Sequence, residues 1–94
     1  MTVYGTALAE RFARKHPDAR KPLSRLLDVF THAKWRHLAD LKADFASADY
    51  TASGVTLFNL GGNKYRLATV IDFNKQELFI DSVMTHEQYD RETF

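Results

Sequence analysis

Apolar positions in the first third of the chain recur with the period of an α-helix. Residues 6–16 and 18–33 each carry one apolar stripe, formed by Leu8, Ala9, Phe12 and Ala13 in the first segment and by Leu23, Leu26, Leu27, Phe30 and Ala33 in the second. Spacings of three and four residues place each stripe on one side of a helix. Pro17 separates the two segments, because the residue before a proline avoids helical geometry. We therefore predict a helical hairpin with one buried face, its helices capped by Thr6 and Asp18.

From residue 55 onward the chain consists of short runs rich in β-branched and aromatic residues. The runs at 55–60, 64–73 and 77–83 predict three strands. Gly61-Gly62-Asn63 and Asn74-Lys75-Gln76 lie between them, and both triplets are typical of hairpin connections. We also expect a short helix within residues 35–46, an edge strand at 48–51 and a final helical turn capped by Thr85.

These elements predict one α+β domain that spans residues 1–94. Its N-terminal helical hairpin packs on one face of a small antiparallel β-sheet, and a short helical turn ends the chain. Because the helices cover only one face of the sheet, the other face is open to a ligand.

Composition narrows the function classes only slightly. The 94 residues carry a net charge of +1 and no cysteine, which excludes disulfides and thiolate metal sites. Basic residues outnumber acidic ones in residues 1–40 and the reverse holds in 41–94. This asymmetry fits either an anionic polymer on one surface or an ordinary solvated surface. No apolar run approaches the ~18 residues of a membrane span and the N-terminus does not resemble a signal peptide, so we expect a cytoplasmic protein without membrane contact.

The open sheet face is the first candidate site. Strand side chains alternate between faces, which assigns Lys64 and Arg66 to the open face, beside Asn59 and Asp81 of the neighbouring strands. Two interpretations stay open. The cations bind an anion such as a phosphate, or Arg66 pairs with Asp81 across a solvated face.

The C-terminal segment THEQYD is the second candidate. His86 and Tyr89 are three residues apart and share one side of a helical turn. Histidine is well suited to proton transfer near neutral pH. The structural alternative is that Tyr89 packs on the sheet while His86 is simply a polar surface residue. No HExxH or similar metal signature is present.

Taken together, five features of the sequence resemble the HigB family of toxins within the RelE superfamily. The likeness runs from about Trp35 to Asp90, and it rests on Trp35, Leu41-Lys42, Phe45, the segment FNLGGNKYRL at 58–67 and THEQYD at 85–90. The most specific parts are Asn-Lys-Tyr-Arg-Leu and His-x-x-Tyr-Asp, in that order.

The resemblance implies the toxin of a type II toxin–antitoxin system. Such toxins are mRNA interferases that enter the ribosomal A site, cut the bound mRNA and are neutralised by an antitoxin, here expected to carry a helix-turn-helix domain. The implied reaction needs no metal or other cofactor, because the RNA 2′-OH attacks the adjacent phosphate. Two other interpretations stay open: a non-catalytic RNA- or ribosome-binding module, and an inactive family member that binds only its antitoxin.

The resemblance also assigns roles to individual residues. Lys64 and Arg66 clamp the scissile phosphate, and His86 and Tyr89 serve as general base and acid in an order that the sequence leaves open. Lys42 neutralises a neighbouring phosphate, Asn63 serves the turn, the backbone or the substrate, and Asp90 orients His86 or caps the chain end.

Two positions depart from the family pattern. Asp81 stands where the family often has arginine or lysine, and Met84 stands where it often has glycine. If Asp81 faces Arg66, its carboxylate opposes phosphate binding.

Overall fold

A computed structural model describes residues 1–91 of the chain, with the side chains of residues 1–89. Five strands and four helices follow one another as β1 (Thr2–Tyr4), α1 (Thr6–Lys15), α2 (Arg20–His32), α3 (Leu38–Asp44), β2 (Asp49–Tyr50), β3 (Thr56–Leu60), β4 (Tyr65–Asp72), β5 (Glu77–Thr85) and α4 (His86–Arg91). The strands of the described chain form one sheet in the order β1-β5-β4-β3-β2. The predicted α+β fold, with helices on one sheet face and a short C-terminal helix, is confirmed.

The sheet is mixed and not purely antiparallel as predicted, because it contains a parallel strand, β1, that the sequence did not predict. β1 pairs in parallel with β5, whereas the pairs β2–β3, β3–β4 and β4–β5 are antiparallel. The edge strand expected at 48–51 is confirmed as β2. Both predicted hairpin turns are present, between β3 and β4 and between β4 and β5.

The helical hairpin forms as predicted, but the two predicted caps are wrong. α1 begins after Gly5, whose φ of 88° is left-handed, and no side chain caps it. A short 3-10 turn, Pro17–Ala19, precedes α2, so its N-cap is Ala19. Asp18 instead lies in that turn and bonds to the sheet, as described below.

The core lies between the helices and one face of the sheet. Its largest fully buried side chains include Phe30, Phe58, Leu41, Leu67 and Leu78. Trp35 is also buried, and its indole N–H donates to Asp44 at 2.8 Å. This core contains the apolar face predicted for each strand.

A β-bulge changes the register between β4 and β5. Ala68 pairs with Ser82 and Thr69 pairs with Ile80, which leaves Asp81 as the extra residue of β5. Beyond the bulge the side chains exchange faces. Regular alternation from Ile80 would place Val83 on the open face, but Val83 packs against the helix-side core, and Met84 lies opposite Arg66.

A second, smaller cluster covers part of the other sheet face. Leu57, Ala68 and Met84 are buried there, and Val55 and Tyr89 pack against them. The predicted Thr85 cap is confirmed, because its hydroxyl accepts from the Gln88 amide while the Gln88 side chain accepts from the Thr85 amide. Within the described residues, no helix is long and apolar enough to cross a membrane.

Candidate functional site

Arg66 lies at the centre of the candidate site, on the sheet face opposite the helical hairpin. Its guanidinium carbon lies 4.5 Å from the centre of the Tyr89 ring, a cation–π contact. Its Nη1 donates to Asp49 Oδ2 at 3.1 Å. The Arg66 side chain is only 15% exposed and that of Asp49 is 58% exposed. The guanidinium is therefore held from one side by a ring and from another by a carboxylate.

Polar groups beside this contact remain unpaired. Asn59 pairs with Arg66 across β3 and β4, as predicted. Among the described residues, Asn59 Oδ1 and Arg66 Nε are buried without a hydrogen-bond partner. Buried polar atoms are normally hydrogen-bonded, so this part of the face can accept a polar ligand or water.

The two predicted phosphate ligands have different carboxylate partners. Lys64 precedes β4 in the turn, and its ammonium lies 3.4 Å from Asp18 Oδ2 at the helical side of the sheet. Both side chains of that pair are more than half exposed, so the attraction is weak. The structure therefore does not bring Lys64 and Arg66 together in one anion clamp.

Asp18 Oδ1 also accepts a hydrogen bond from the hydroxyl of buried Tyr65, at 2.6 Å. The Tyr65 hydrogen bond lowers the pKa of Asp18 below its ordinary value, with a smaller contribution from Lys64. The same hydrogen bond raises the pKa of Tyr65. Asp18 thus links the turn before α2 to the strand that carries Arg66.

α4 brings the second candidate pair to the site. Its first amide, from His86, donates to the Lys64 carbonyl oxygen at 3.3 Å. His86 is exposed beside the β3–β4 turn, whereas Tyr89 is half-buried under Arg66. The structural alternative for Tyr89, packing on the sheet, is confirmed, and the same contact places its ring against the cation.

Lys42 and Asn63, the two residues predicted to bind RNA, both have structural roles. The Lys42 ammonium donates to the carbonyl oxygens of Ala46, at 2.9 Å, and Ala48. Asn63 has a φ of 73° in the turn between β3 and β4, where Gly61 and Gly62 are also left-handed. Asparagine tolerates this conformation better than most residues, so Asn63 serves the turn. The side chain of Asp90 lies outside the described residues.

The alternative in which Arg66 pairs with Asp81 is wrong. Asp81 is the bulged residue, and it lines a cleft of about 510 Å³ on the side of α1. Arg11, Arg14 and Lys15 line the same cleft. The carboxylate that pairs with Arg66 belongs to Asp49, so the departure at position 81 does not place a negative charge on Arg66.

Sequence reasoning missed Asp49 and the sheet contact of Asp18. Asp49 occupies a two-residue edge strand, and its partner on β4 is 17 positions away. One signal could have indicated Asp49. The edge strand predicted at 48–51 contains this acidic residue and places it at the border of the sheet.

The arrangement combines a fixed cation, a phenol in contact with it and an imidazole on the same helix. A fixed guanidinium can stabilise charge that develops on a phosphate, and imidazole and phenol groups can transfer protons. Among the residues that the structure describes, no group of three or more His, Cys, Asp and Glu side chains could hold a metal ion.

Comparison with known proteins gives the same family as the motifs. The profile of the HigB toxin family, described as the RelE-like toxic component of a toxin–antitoxin system, matches residues 19–92. Curated relatives include the mRNA interferase toxin HigB of Escherichia coli K12 and the mRNA interferase HigB of Shigella flexneri. Each is 33% identical over 81 residues, covering 83% of this chain and 77% of the relative. The chain belongs to the HigB family of RelE-like toxins.

Proposed function

We propose that this chain is a toxin that cleaves mRNA on the ribosome and so inhibits translation. The observation that carries the proposal is the Arg66 guanidinium, held 4.5 Å over Tyr89 in a chain whose relatives are named mRNA interferases. The proposed partners are mRNA in the ribosomal A site, the ribosome and an antitoxin with a helix-turn-helix domain. These partners would place the protein in the cytoplasm.

In the proposed reaction the 2′-oxygen of one nucleotide attacks the adjacent phosphorus, and the bond to the 5′-oxygen breaks. The products are a 2′,3′-cyclic phosphate and a 5′-hydroxyl end. One proton leaves the 2′-OH and one is delivered to the departing 5′-oxygen, so the step needs a base and an acid. Only RNA carries the 2′-OH, which excludes DNA as a substrate.

Arg66 is the proposed ligand of the scissile phosphate. A guanidinium has five N–H donors, and the hydrogen bond to Asp49 uses one of them. Donors that are already oriented stabilise the charge of the transition state without reorganising. Lys64 is proposed as a second cation, and to reach the same phosphate its exposed ammonium must leave Asp18.

His86 and Tyr89 are the proposed base and acid. Both belong to α4, and the amide of His86 bonds to the backbone of Lys64. This bond fixes the start of α4 beside Lys64, two residues before Arg66 of β4. The proposed site therefore uses β4 and α4 as one unit.

Cleavage in cells tests the proposal directly. We expect brief induction of the wild type to arrest growth and to create new mRNA 5′ ends, and we expect Arg66→Ala and His86→Ala to abolish both. Arg36→Ala is the matched control, because Arg36 lies in the segment before α3. With purified components, cleavage should require ribosomes. At the Mg²⁺ concentration that keeps ribosomes assembled, 1,10-phenanthroline, which chelates transition metals, should leave the rate unchanged, and this tests for a transition-metal requirement separately.

Three results would contradict the proposal in different ways. Ribosome binding without new 5′ ends would favour a non-catalytic RNA- or ribosome-binding module. A non-toxic wild type that still co-purifies with its antitoxin would favour an inactive family member. Full toxicity of both site variants would show that the site lies elsewhere.

A further inference from the structure

We propose that Asp49 positions the guanidinium of Arg66 for catalysis and that Lys42 acts on the site through Asp49, without contacting RNA. The inference rests on the proposed function of the Arg66 site. It gives Asp49 a role that the motifs did not suggest, and it changes the role that the resemblance implies for Lys42.

The first step concerns the orientation of Arg66. The contact with the Tyr89 ring, at 4.5 Å, restrains the distance of the guanidinium from the ring. Such a contact leaves the planar group able to turn over the ring face. The 3.1 Å hydrogen bond from Nη1 to Asp49 Oδ2 removes that freedom. Since Arg66 Nε has no hydrogen-bond partner among the described residues, Asp49 is the contact that fixes which N–H edge faces the ligand.

The second step concerns what holds Asp49. β2 has only two residues, and it pairs with β3 at the edge of the sheet, Asp49 opposite Leu57. Such a short edge strand makes few backbone contacts of its own. Lys42 donates to the carbonyl oxygens of Ala46 and Ala48, and Ala48 is buried and directly precedes Asp49. Lys42 therefore fixes the segment that delivers the Asp49 carboxylate.

The third step concerns the ammonium of Lys42 itself. It has three N–H donors, and two carbonyl oxygens are bound to it. A lysine in the last turn of a helix commonly binds carbonyl groups in this way, because the C-terminal end carries partial negative charge. Its contacts thus anchor the loop that follows α3.

Steady-state cleavage of mRNA on programmed ribosomes tests the role of Asp49. We expect Asp49→Ala to lower kcat about 10- to 100-fold with KM within about threefold, since misorientation of a catalytic group affects mainly the chemical step. Asp49→Asn should recover most of the rate, because its amide oxygen still accepts the hydrogen bond. Asp28→Ala is the matched control, since Asp28 is an exposed carboxylate of α2 whose charged partner is His32.

A double-mutant cycle tests the role of Lys42. If Lys42 acts through Asp49, Lys42→Met should lower kcat, and combining it with Asp49→Ala should cause no further loss. The salt dependence of ribosome binding should stay that of the wild type. If Lys42 contacts a phosphate, the two losses multiply and the slope of log affinity against log salt falls by about 0.7, which would overturn the inference. Lys21→Met, at an exposed lysine of α2, is the control.

Failure of this inference is distinguishable from failure of the proposed function. If the wild type does not cleave mRNA, the proposed function fails. If the wild type cleaves and Asp49→Ala equals it, Asp49 does not position Arg66. A faster Asp49→Ala would make the carboxylate a competitor of the phosphate and would also overturn the inference. Thermal unfolding of each variant verifies that it is folded at the assay temperature.

Discussion

Replacing Tyr89 with phenylalanine separates two roles that one side chain combines. The ring of Tyr89 lies under Arg66 and packs against the small cluster of Leu57, Ala68 and Met84. The hydroxyl is the part proposed to transfer a proton. Tyr89→Phe removes the hydroxyl and keeps the ring, so it tests proton transfer while the cation–π contact stays in place.

The two roles have different magnitudes. A general acid or base contributes about 10²- to 10⁴-fold to a rate, which corresponds to about 3–5 kcal/mol at ~1.36 kcal/mol for each tenfold change. A cation–π contact contributes about 0.5–2 kcal/mol. We therefore expect Tyr89→Phe to lower the single-turnover rate constant at least 100-fold. Tyr89→Leu, which also loses the ring face, should lose a further factor of about 2 to 30.

The assay is single-turnover cleavage of a defined mRNA on ribosomes, with urea unfolding of each variant alongside it. Tyr4→Phe is the matched control, because Tyr4 is an exposed tyrosine on β1, at the sheet edge beyond β5. A Tyr89→Phe variant that cleaves within threefold of the wild type would refute proton transfer by Tyr89. The ring would then act only by holding Arg66, and the acid or base would have to be another group.

Three further predictions concern charge, pH and backbone geometry. Asp81→Asn should leave cleavage within twofold of the wild type, because the bulge separates Asp81 from Arg66; single-turnover kinetics measure this. Asp18→Asn should weaken the loss of stability in acid, measured by urea unfolding between pH 2 and 7. The Tyr65 hydroxyl lowers the pKa of Asp18 from 3.8, so the stabilisation is present above that value and is lost as pH falls through the lower folded pKa. Gly5→Ala should reduce the free energy of unfolding by about 1–3 kcal/mol, because φ is +88° and a Cβ would lie 2.8 Å from a β5 carbonyl oxygen.

Each of these has an outcome that contradicts it. Faster cleavage by Asp81→Asn would mean that its charge does reach the phosphate. An unchanged acid transition in Asp18→Asn would mean that Asp18 is not stabilised as a carboxylate by folding. Gly62→Ala is the control for Gly5, since its φ is also positive but open space surrounds the added Cβ. If both glycine variants lost the same free energy of unfolding, the close approach of the Cβ to the β5 carbonyl oxygen would not be the cause.

Elements with local signals could be predicted from the sequence. The helical hairpin follows from its apolar period and Pro17, and the β3–β4 turn follows from its two glycines and Asn63. These signals come from residues close together in the chain. The helix caps were harder to predict. Asp18, for example, does not cap α2 but forms a hydrogen bond with Tyr65, 47 positions away.

Features that depend on distant pairing could not be predicted. β1 is a three-residue strand whose partner, β5, is about 75 positions away. The bulge could not be predicted, because nothing in the sequence interrupts the alternation of Leu78 and Ile80 at Asp81, and regular alternation was therefore assumed for the whole strand. That assumption gave Val83 and Asp81 the wrong neighbours.

The candidate site shows the same difference between local sequence signals and contacts with distant parts of the chain. Residue types in the motifs identified Arg66, His86 and Tyr89, and the structure brings Arg66 and Tyr89 into contact. The partner of Arg66 could not be found in this way, because Asp49 belongs to another part of the chain. Motifs indicate which side chains are candidates for chemistry, while the contacts that orient them depend on the tertiary fold.

The bulge at Asp81 has a consequence for the length of the chain. Since successive strand residues point to opposite faces, the bulge absorbs one extra residue, so that Ile80 and Val83 both face the helical side while Met84 and Tyr89 stay on the Arg66 face. Deleting Asp81 would keep the present pairs, Ala68 with Ser82 and Leu67 with Val83, whereas an unbulged strand that retained Asp81 would turn Val83 to the Arg66 face. The bulge therefore lets one more residue fit between Ile80 and Tyr89 than regular pairing would, and deleting Asp81 should be tolerated better than inserting a second residue beside it.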